Sequence, residues 1–344
     1  MNAPVRARRD RLGELSLQWS PRVVVITSLV VSVIVAVGLF AVTTGTLPVA
    51  VHDAVLALVG VGDDTTVRVV RDLRLPRFIT GALVGACLGM SGATFQSLTR
   101  NPLGSPDVIG FTTGAATGAI VQIIVFGGDE FAVGASAVIG GVACALVVYG
   151  LSYRNRATGG YRLVLVGIGV GAMLHAVNSM LLTRSDADIA LSAQVWLSGS
   201  LNVRTWDHVV PLALGGTVLV PVLLFLQRRL SLMEMGDDAA RQLGIGAEAT
   251  RLASLAAAVA LAALAVAATG PIAFVALAAA PLVRGLTRHA GPALGSAATM
   301  GALLLTASDL LVQAIPWDYA VPVGVMTGLL GGVYLAWLLG RSTA

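Results

Sequence analysis

The sequence predicts an all-α integral membrane protein with about ten transmembrane helices. Of its 344 residues, 56% are hydrophobic and only 12% are charged, whereas a soluble domain carries about a quarter charged residues. The mean hydropathy is +0.85, and uncharged stretches of membrane-spanning length recur along the chain. This leaves too little polar surface to cover a water-facing fold, so we expect the bilayer to be the solvent.

The transmembrane helices are predicted from ten uncharged runs. The first run, residues 23–42, is too long for the hydrophobic part of a signal peptide and matches the length of a span. The stretch 252–283 is too long for one helix and is divided at Gly270 and Pro271, because both residue types break helices. The predicted spans are 23–42, 78–98, 108–128, 131–151, 163–183, 209–226, 252–268, 271–283, 293–308 and 320–339.

Arginine placement predicts the orientation of the chain. Every basic residue is arginine, and with a cytoplasmic N-terminus most of them fall on the inner side, as the positive-inside rule requires. Ten spans then return the C-terminus to the cytoplasm. We expect a multi-pass protein of the cytoplasmic (inner) membrane, with a cytoplasmic tail over residues 1–22 and a membrane domain over residues 23–340. The basic residues lie in short loops between apolar spans, which argues against nucleic-acid binding.

Two segments on the outer side are predicted to form short helices at the membrane surface. The first is residues 49–59. The second, residues 191–206, places Trp196 and Trp206 ten residues apart, and such aromatic residues suit the membrane interface.

The inner loop, residues 227–251, holds eight of the forty charged side chains of the chain, whereas the other inner loops are short. Asp237 is predicted to cap the N-terminus of a short helix there, and Gly244 is predicted to end it. A spacing of three, four and four residues gives this segment one apolar face, which we expect a partner to contact. The residues of that face are Leu232, Met235, Ala239 and Leu243.

Two predicted spans carry ridges of small residues. Glycines at four-residue spacing let helix backbones approach closely, and we expect both ridges to pack within one subunit. The second span carries Gly81, Gly85, Gly89 and Gly92, and the tenth carries Gly324, Gly328 and Gly332.

The segment 73–114 resembles the permeases of the iron-siderophore and vitamin B12 ABC importers, the ferric siderophore members most of all. Their pattern is L-R-L-P-R, a Gly-rich span ending in S-G-A-x-x-Q, and then R-N-P-L-A-x-P-x-x-L-G. Further matches lie at 196–201, 236–244, 270–277 and 322–324, so the resemblance covers nearly the whole chain. The matching residues in 73–114 are Arg74, Pro76, Arg77, Ser91, Gly92, Gln96, Arg100, Asn101, Pro102, Leu103, Pro106 and Gly110.

Three departures from the family pattern stand out. Gly104 replaces an alanine, and Ala280-Pro281-Leu282 stands where many members have Pro-His. Gln313 replaces the arginine of A-D-x-x-A-R. Loss of that basic residue suits a subunit that pairs with a different permease, so a heterodimer is favoured over a homodimer.

The resemblance implies a type II ABC importer permease that translocates ferric siderophore complexes. It also implies a second permease subunit, two ATPase subunits that hold ATP and Mg²⁺, and an extracytoplasmic substrate-binding protein. Arg74 and Arg77 are then expected at the outer mouth, where guanidinium groups can pair with carboxylates of the binding protein. Residues 227–251 become the coupling loop, and its ATPase contacts are expected at Gly236, Asp237, Asp238, Ala240, Leu243 and Gly244.

The translocation pathway is expected to be weakly polar. An ionisable group inside the membrane is a functional candidate, but a siderophore already holds the iron, so no ligand for the metal is required. The sequence shows no Cys/His metal spacing, and we expect no bound cofactor, no metal site and no catalytic residue in this chain. The pathway candidates are Gln96, Gln122, His175, Asn178 and Asp309.

Three other functions compete with this prediction. A secondary transporter driven by ions needs coupling carboxylates within its spans, and the candidate that the sequence offers is Asp309, directly after the predicted span 293–308. A membrane enzyme needs a nucleophile–base pair or a metal or phosphate motif, none of which the sequence shows. A permease of the same family for cobalamin or haem remains an alternative, because the binding protein sets much of the specificity.

Overall fold

The fold is built almost entirely from apolar helices. The computed structural model describes residues 8–12, 15–45, 47–107, 110–154, 157–158, 160–289, 291–315 and 321–342. The helices are α1 (Pro21–Thr43), α2 (Val51–Leu58), α3 (Asp64–Arg68), α4 (Leu75–Thr99), α5 (Phe111–Val121), α6 (Glu130–Ser152), α7 (Gly160–Arg184), α8 (Ala187–Leu197), α9 (Trp206–Met233), α10 (Asp237–Gln242), α11 (Ala247–Thr269), α12 (Val275–Thr287), α13 (Leu294–Ala314) and α14 (Val323–Ser342).

Short π-helical segments and two small hairpins complete the described structure. A π-helical turn, Val69–Arg74, joins α3 to α4, and a second, Gln122–Phe126, extends α5. The N-terminal tail contains the antiparallel pair β1 (Arg8–Leu12) and β2 (Leu15–Trp19). A two-residue pair, β3 (Tyr153–Arg154) and β4 (Ala157–Thr158), follows α6.

Each of the ten predicted spans corresponds to a helix. Among the described residues, seven helices are long and apolar enough to cross a membrane, and three more apolar helices are shorter. The predicted residues 108, 109 and 320 lie outside the described residues. The second predicted span differs most from the structure. The chain is helical without interruption over Asp64–Thr99, through α3, the π-helical turn and α4, whereas the sequence predicts a span that begins at 78. The polar residues of 64–74 hide this helical extension from a search for uncharged runs.

Helix α4 lies at the centre of the bundle, packed against α11, α12 and α13. A Cβ on Gly85 would lie 2.3 Å from the carbonyl oxygen of Gly301, and one on Gly92 would lie 1.8 Å from that of Ala276. The glycine ridge of the second span therefore contacts neighbouring helices of the same chain. On α14, Gly324 packs against Ser198, whereas Gly328 and Gly332 have open space around them.

The second surface helix differs from its prediction. The sequence predicts a helix over 191–206, but α8 ends at Leu197 and Trp206 begins α9. The break occurs because Gly199 adopts a left-handed conformation, with φ of +64°. The first surface helix, α2, forms at Val51–Leu58, inside the predicted range.

Three segments that resemble family motifs meet beside this break. Ser200 N donates to the carbonyl oxygen of Thr269 at 2.8 Å, and Gly324 N donates to that of Gly199 at 3.2 Å. A Cβ on Gly199 would lie 2.2 Å from the carbonyl oxygen of Pro271. The backbones approach so closely here that only glycine fits at position 199. The three motifs are far apart in the sequence but adjacent in the fold.

Candidate functional site

A cavity of about 660 Å³ opens beside α7. Its walls come from the loop between α4 and α5, from α5, α7 and α8, from the segment before α12 and from α14. The lining is mostly apolar, with a few polar groups placed around it, which is typical of small-molecule cavities in proteins. The polar lining residues are Ser105, Asp107, Thr112, Thr113, His175, Asn178, Ser179 and Gln194.

Two of the five pathway candidates, His175 and Asn178, lie in this cavity. Asn178 is only 7% exposed, and its Oδ1 has no hydrogen-bond partner among the described residues. His175 is exposed, and its Nδ1 lies 3.5 Å from Ser179 Oγ. The two side chains are three residues apart and so lie on one face of α7.

Asp107 is a polar group of the cavity that the sequence analysis missed. Thr112 donates a hydrogen bond to its carboxylate. Desolvation raises the pKa of the Asp107 carboxyl above its ordinary value, and the Thr112 hydrogen bond opposes that shift. Asp107 directly follows Pro106 in the segment that resembles the family. The family pattern accepts any residue at that position, so the pattern did not single out Asp107.

The two glutamine candidates lie elsewhere. Gln96 is 2% exposed, donates to the carbonyl oxygen of Leu277 at 3.0 Å and accepts a hydrogen bond from Arg284. Gln122 donates to the carbonyl oxygen of Gly127 and accepts from Ser136. Gln96 thus ties α4 to α12 inside the bundle, and Gln122 lines a separate cavity of about 460 Å³ between α5, α6 and α7.

Asp309, the fifth candidate, is engaged in an ion pair with Arg77. Arg77 Nε and Nη2 donate to the two carboxylate oxygens at 3.0 and 2.8 Å. The Arg77 side chain is 24% exposed and that of Asp309 is 7% exposed. Gln313 also donates to Asp309, at 2.7 Å. Asp309, which lies within α13, therefore has an arginine and a glutamine as partners within the chain.

Arg74 also has partners within the chain. Its guanidinium donates to the backbone carbonyl oxygens of Val42, at 2.7 Å, and of Leu47, at 2.5 Å. These bonds hold the loop that follows α1 against the start of α4. Docking of a binding protein on Arg74 and Arg77 stays a prediction, and any such contact has to share guanidinium groups that already stabilise the fold.

The coupling loop forms the predicted short helix, but Asp237 does not cap it. Gly236 occupies the capping position, and Asp237 is the first residue of α10. Its carboxylate is instead paired with Arg100 and Arg251, which lie 137 and 14 residues away. Gly244 does end the helix, with φ of +78°, and the Gly244 and Ile245 amides bond back to Arg241 and Ala240, as in a Schellman motif.

The predicted apolar face of the loop is divided. Leu232 lies in α9 and Ala239 in α10, so the four residues do not share one helix. Met235 and Leu243 are 69% and 59% exposed. Two large apolar side chains are thereby left uncovered beside the charged surface of α10, where Asp238 pairs with Arg241.

Comparison with known proteins assigns the chain to a family. The model of the FecCD transport family matches residues 30–341. The chain belongs to the FecCD transport family. It is therefore a multi-pass membrane protein, and its relatives include permeases of transport systems.

Two relatives and one solved structure illustrate the range of this family. The ferric enterobactin transport system permease protein FepG of Escherichia coli is 43% identical over 320 residues, which cover 93% of this chain and 97% of that protein. The cobalamin import system permease protein BtuC of Halobacterium salinarum is 33% identical over 283 residues, covering 80% and 74%. A structure of an inward-facing metal-chelate type ABC transporter superposes with a TM-score of 0.80 at 25% identity, covering 93% and 99%.

One departure from the FecCD pattern has a steric explanation. A Cβ on Gly104 would lie 2.3 Å from Thr99 Oγ1 and 3.1 Å from the carbonyl oxygen of Phe95. The loop there is tightly folded, because Asn101 Oδ1 accepts the Leu103 amide at 2.9 Å and the carbonyl oxygen of Pro106 accepts the Phe111 amide at 3.1 Å. Pro102 lies in the same turn. Glycine at 104 lets Thr99 keep its position at the end of α4.

The described residues contain no group of three or more His, Cys, Asp or Glu side chains arranged to hold a metal ion. Most ion pairs among the described residues join an arginine to a carboxylate, and two join a histidine to one, His52 with Asp53 and His208 with Glu130.

Proposed function

We propose that this chain is one of two permease subunits of an importer that moves ferric siderophore complexes into the cytoplasm. The observation that carries the proposal is a cavity of about 660 Å³ with sparse polar lining, in a chain that is 43% identical over nearly its full length to a ferric enterobactin permease. The chelator satisfies the iron, so the wall needs only weak polar contacts, and His175 and Asn178 supply them.

The proposal includes a second permease subunit that closes the cavity from the other side. Helix α7 is mostly exposed, and on α14 Gly328 and Gly332 have open space around them. Small residues on an uncovered helix face let another helix approach closely. A different permease is the favoured partner, because Gln313 replaces the family's arginine.

ATP hydrolysis is assigned to two separate ATPase subunits, which hold ATP and Mg²⁺. Their contact on this chain is the coupling segment, residues 236–244, together with Met235. Exposed Met235 and Leu243 supply the apolar part of that contact. In this proposal the protein lies in the inner membrane, surrounded by lipid, with its N- and C-termini in the cytoplasm. Arg74 and Arg77 then face an extracytoplasmic binding protein.

A test of this proposal uses the complex purified with its partner permease and ATPase subunits in lipid nanodiscs. Binding protein loaded with ferric enterobactin should stimulate ATP hydrolysis severalfold over the unloaded protein. Cobalamin and haem, each presented on its own binding protein, should not. Stimulation by cobalamin or haem alone would keep the importer and replace the substrate class.

A further inference from the structure

The carboxylate of Asp237 joins α10 to two helices of the bundle. Its Oδ1 accepts a hydrogen bond from Arg100 Nη2 at 2.9 Å, and its Oδ2 accepts one from Arg251 Nη2 at 2.7 Å. Arg100 is the residue that ends α4, and Arg251 lies in the second turn of α11. Each oxygen therefore binds a guanidinium from a different helix, and α10 is tied to both.

The two ion pairs differ in their exposure to water. The Arg251 side chain is 3% exposed and also donates to Glu248 at 2.5 Å, while the other Glu248 oxygen accepts from Tyr149 of α6 at 2.9 Å. The Arg100 side chain is 43% exposed. A buried guanidinium keeps its partners because leaving it unpaired is costly, whereas an exposed pair contributes little and exchanges readily with water. Arg251 is thus a fixed anchor, and the Arg100 contact can open.

Arg100 also directly precedes the loop 101–107, which contributes two residues to the lining of the cavity. It adopts a left-handed conformation, with φ of +52°, and leads into the tight turn held by Asn101. Five and seven residues later, Ser105 and Asp107 line the cavity, and Asp107 is held to α5 by Thr112. Arg100 therefore lies at one end of a short, tightly turned segment whose other end lines the cavity.

We propose that the Arg100–Asp237 ion pair is a latch that transmits movement of α10 to the cavity wall at residues 101–107. This inference rests on the proposed contact between α10 and the ATPases. With the pair closed, displacement of α10 carries residues 101–107 with it. With the pair open, α10 pivots on the Arg251 anchor and the wall does not follow. Arg100 and Asp237 are positioning residues and do not contact the transported complex.

The first experiment separates transmission from stability. The complex is reconstituted in proteoliposomes, and radioactive ferric enterobactin transported per ATP hydrolysed is measured for Arg100→Gln, Arg100→Lys and the control Arg22→Gln. Arg22 carries the same charge at the same end of the bundle but donates to a backbone carbonyl oxygen, that of Leu286.

The latch predicts that the transport-to-hydrolysis ratio of Arg100→Gln falls roughly fivefold, the population change that an exposed ion pair supports. Arg100→Lys should retain most of the ratio, and Arg22→Gln all of it. A wild-type ratio for Arg100→Gln would overturn the latch. So would equal losses in the Gln and Lys variants accompanied by a lower Tm, because that pattern shows a role in folding alone.

A second experiment does not depend on the identity of the substrate. Hydrogen exchange of the backbone amides in 101–107 and in α10 is compared with and without ATP and vanadate. In the wild type both segments should change protection together, and in Arg100→Gln only α10 should change. Unchanged coupling in Arg100→Gln would overturn the latch. If the wild type shows the coupled change but moves no ferric siderophore, the latch stands and the proposed substrate fails.

Discussion

The ion pair between Arg77 and Asp309 gives a quantitative test of how this bundle is stabilised. Asp309→Asn removes the charge that faces a guanidinium three-quarters shielded from water, since Arg77 is 24% exposed. Loss of one partner from a buried pair costs about 3–5 kcal/mol, and the residual exposure of Arg77 places this site at about 3 kcal/mol. At about 2 °C per kcal/mol for a large domain, the Tm should fall by roughly 6 °C.

The assay is thermal unfolding of the purified chain in one detergent, at one protein concentration and one scan rate. The matched control is Arg77→Met with Asp309→Leu, because replacing both partners by apolar residues of similar volume is close to neutral. An unchanged Tm for Asp309→Asn, or a double variant as unstable as the single one, would refute the reasoning. The double variant also gives a clean test of docking, since weaker binding of the binding protein then reports the lost charge rather than a damaged fold.

Two further predictions follow from the packing of the bundle and from the coupling segment. Gly92→Ala should lower the free energy of unfolding by about 1–3 kcal/mol, because the added Cβ meets the backbone carbonyl of Ala276. The control is Gly216→Ala on α9, where a Cβ would have nothing within 4 Å. Equal Tm values for the two variants would contradict the close packing of α4 against α12. Met235→Asp with Leu243→Asp should abolish co-purification of the ATPase subunits while leaving Tm unchanged, and full retention of the ATPases would remove these residues from the contact.

Local patterns predicted the helices of this chain well. Each uncharged run of spanning length became a helix, because satisfying the backbone in lipid leaves little alternative. The ends of helices were also readable where one residue decides them, as at Gly244. The extension of α4 back to Asp64 was not predicted, because its polar residues lack the apolar signal on which the search depended.

Long-range pairs were beyond what local spacing can show. Asp309 looked like an isolated intramembrane acid, yet its partner Arg77 lies 232 residues away. Asp237 was predicted to cap a helix, but it is the first residue of α10 and its carboxylate pairs with two arginines that lie outside that helix. The close approach of Gly199 to Pro271 was likewise not predicted, although both residues lie in segments that resemble family motifs.

The most direct test of the account is uptake of radioactive ferric siderophore by cells lacking this chain, with and without its gene restored. Cobalamin and haem uptake are followed in parallel in the same cells. The account predicts that ferric siderophore uptake alone is lost and returns with the restored chain. Unaffected siderophore uptake together with a fall in cobalamin or haem uptake would contradict the proposed substrate and leave an importer of a different cargo.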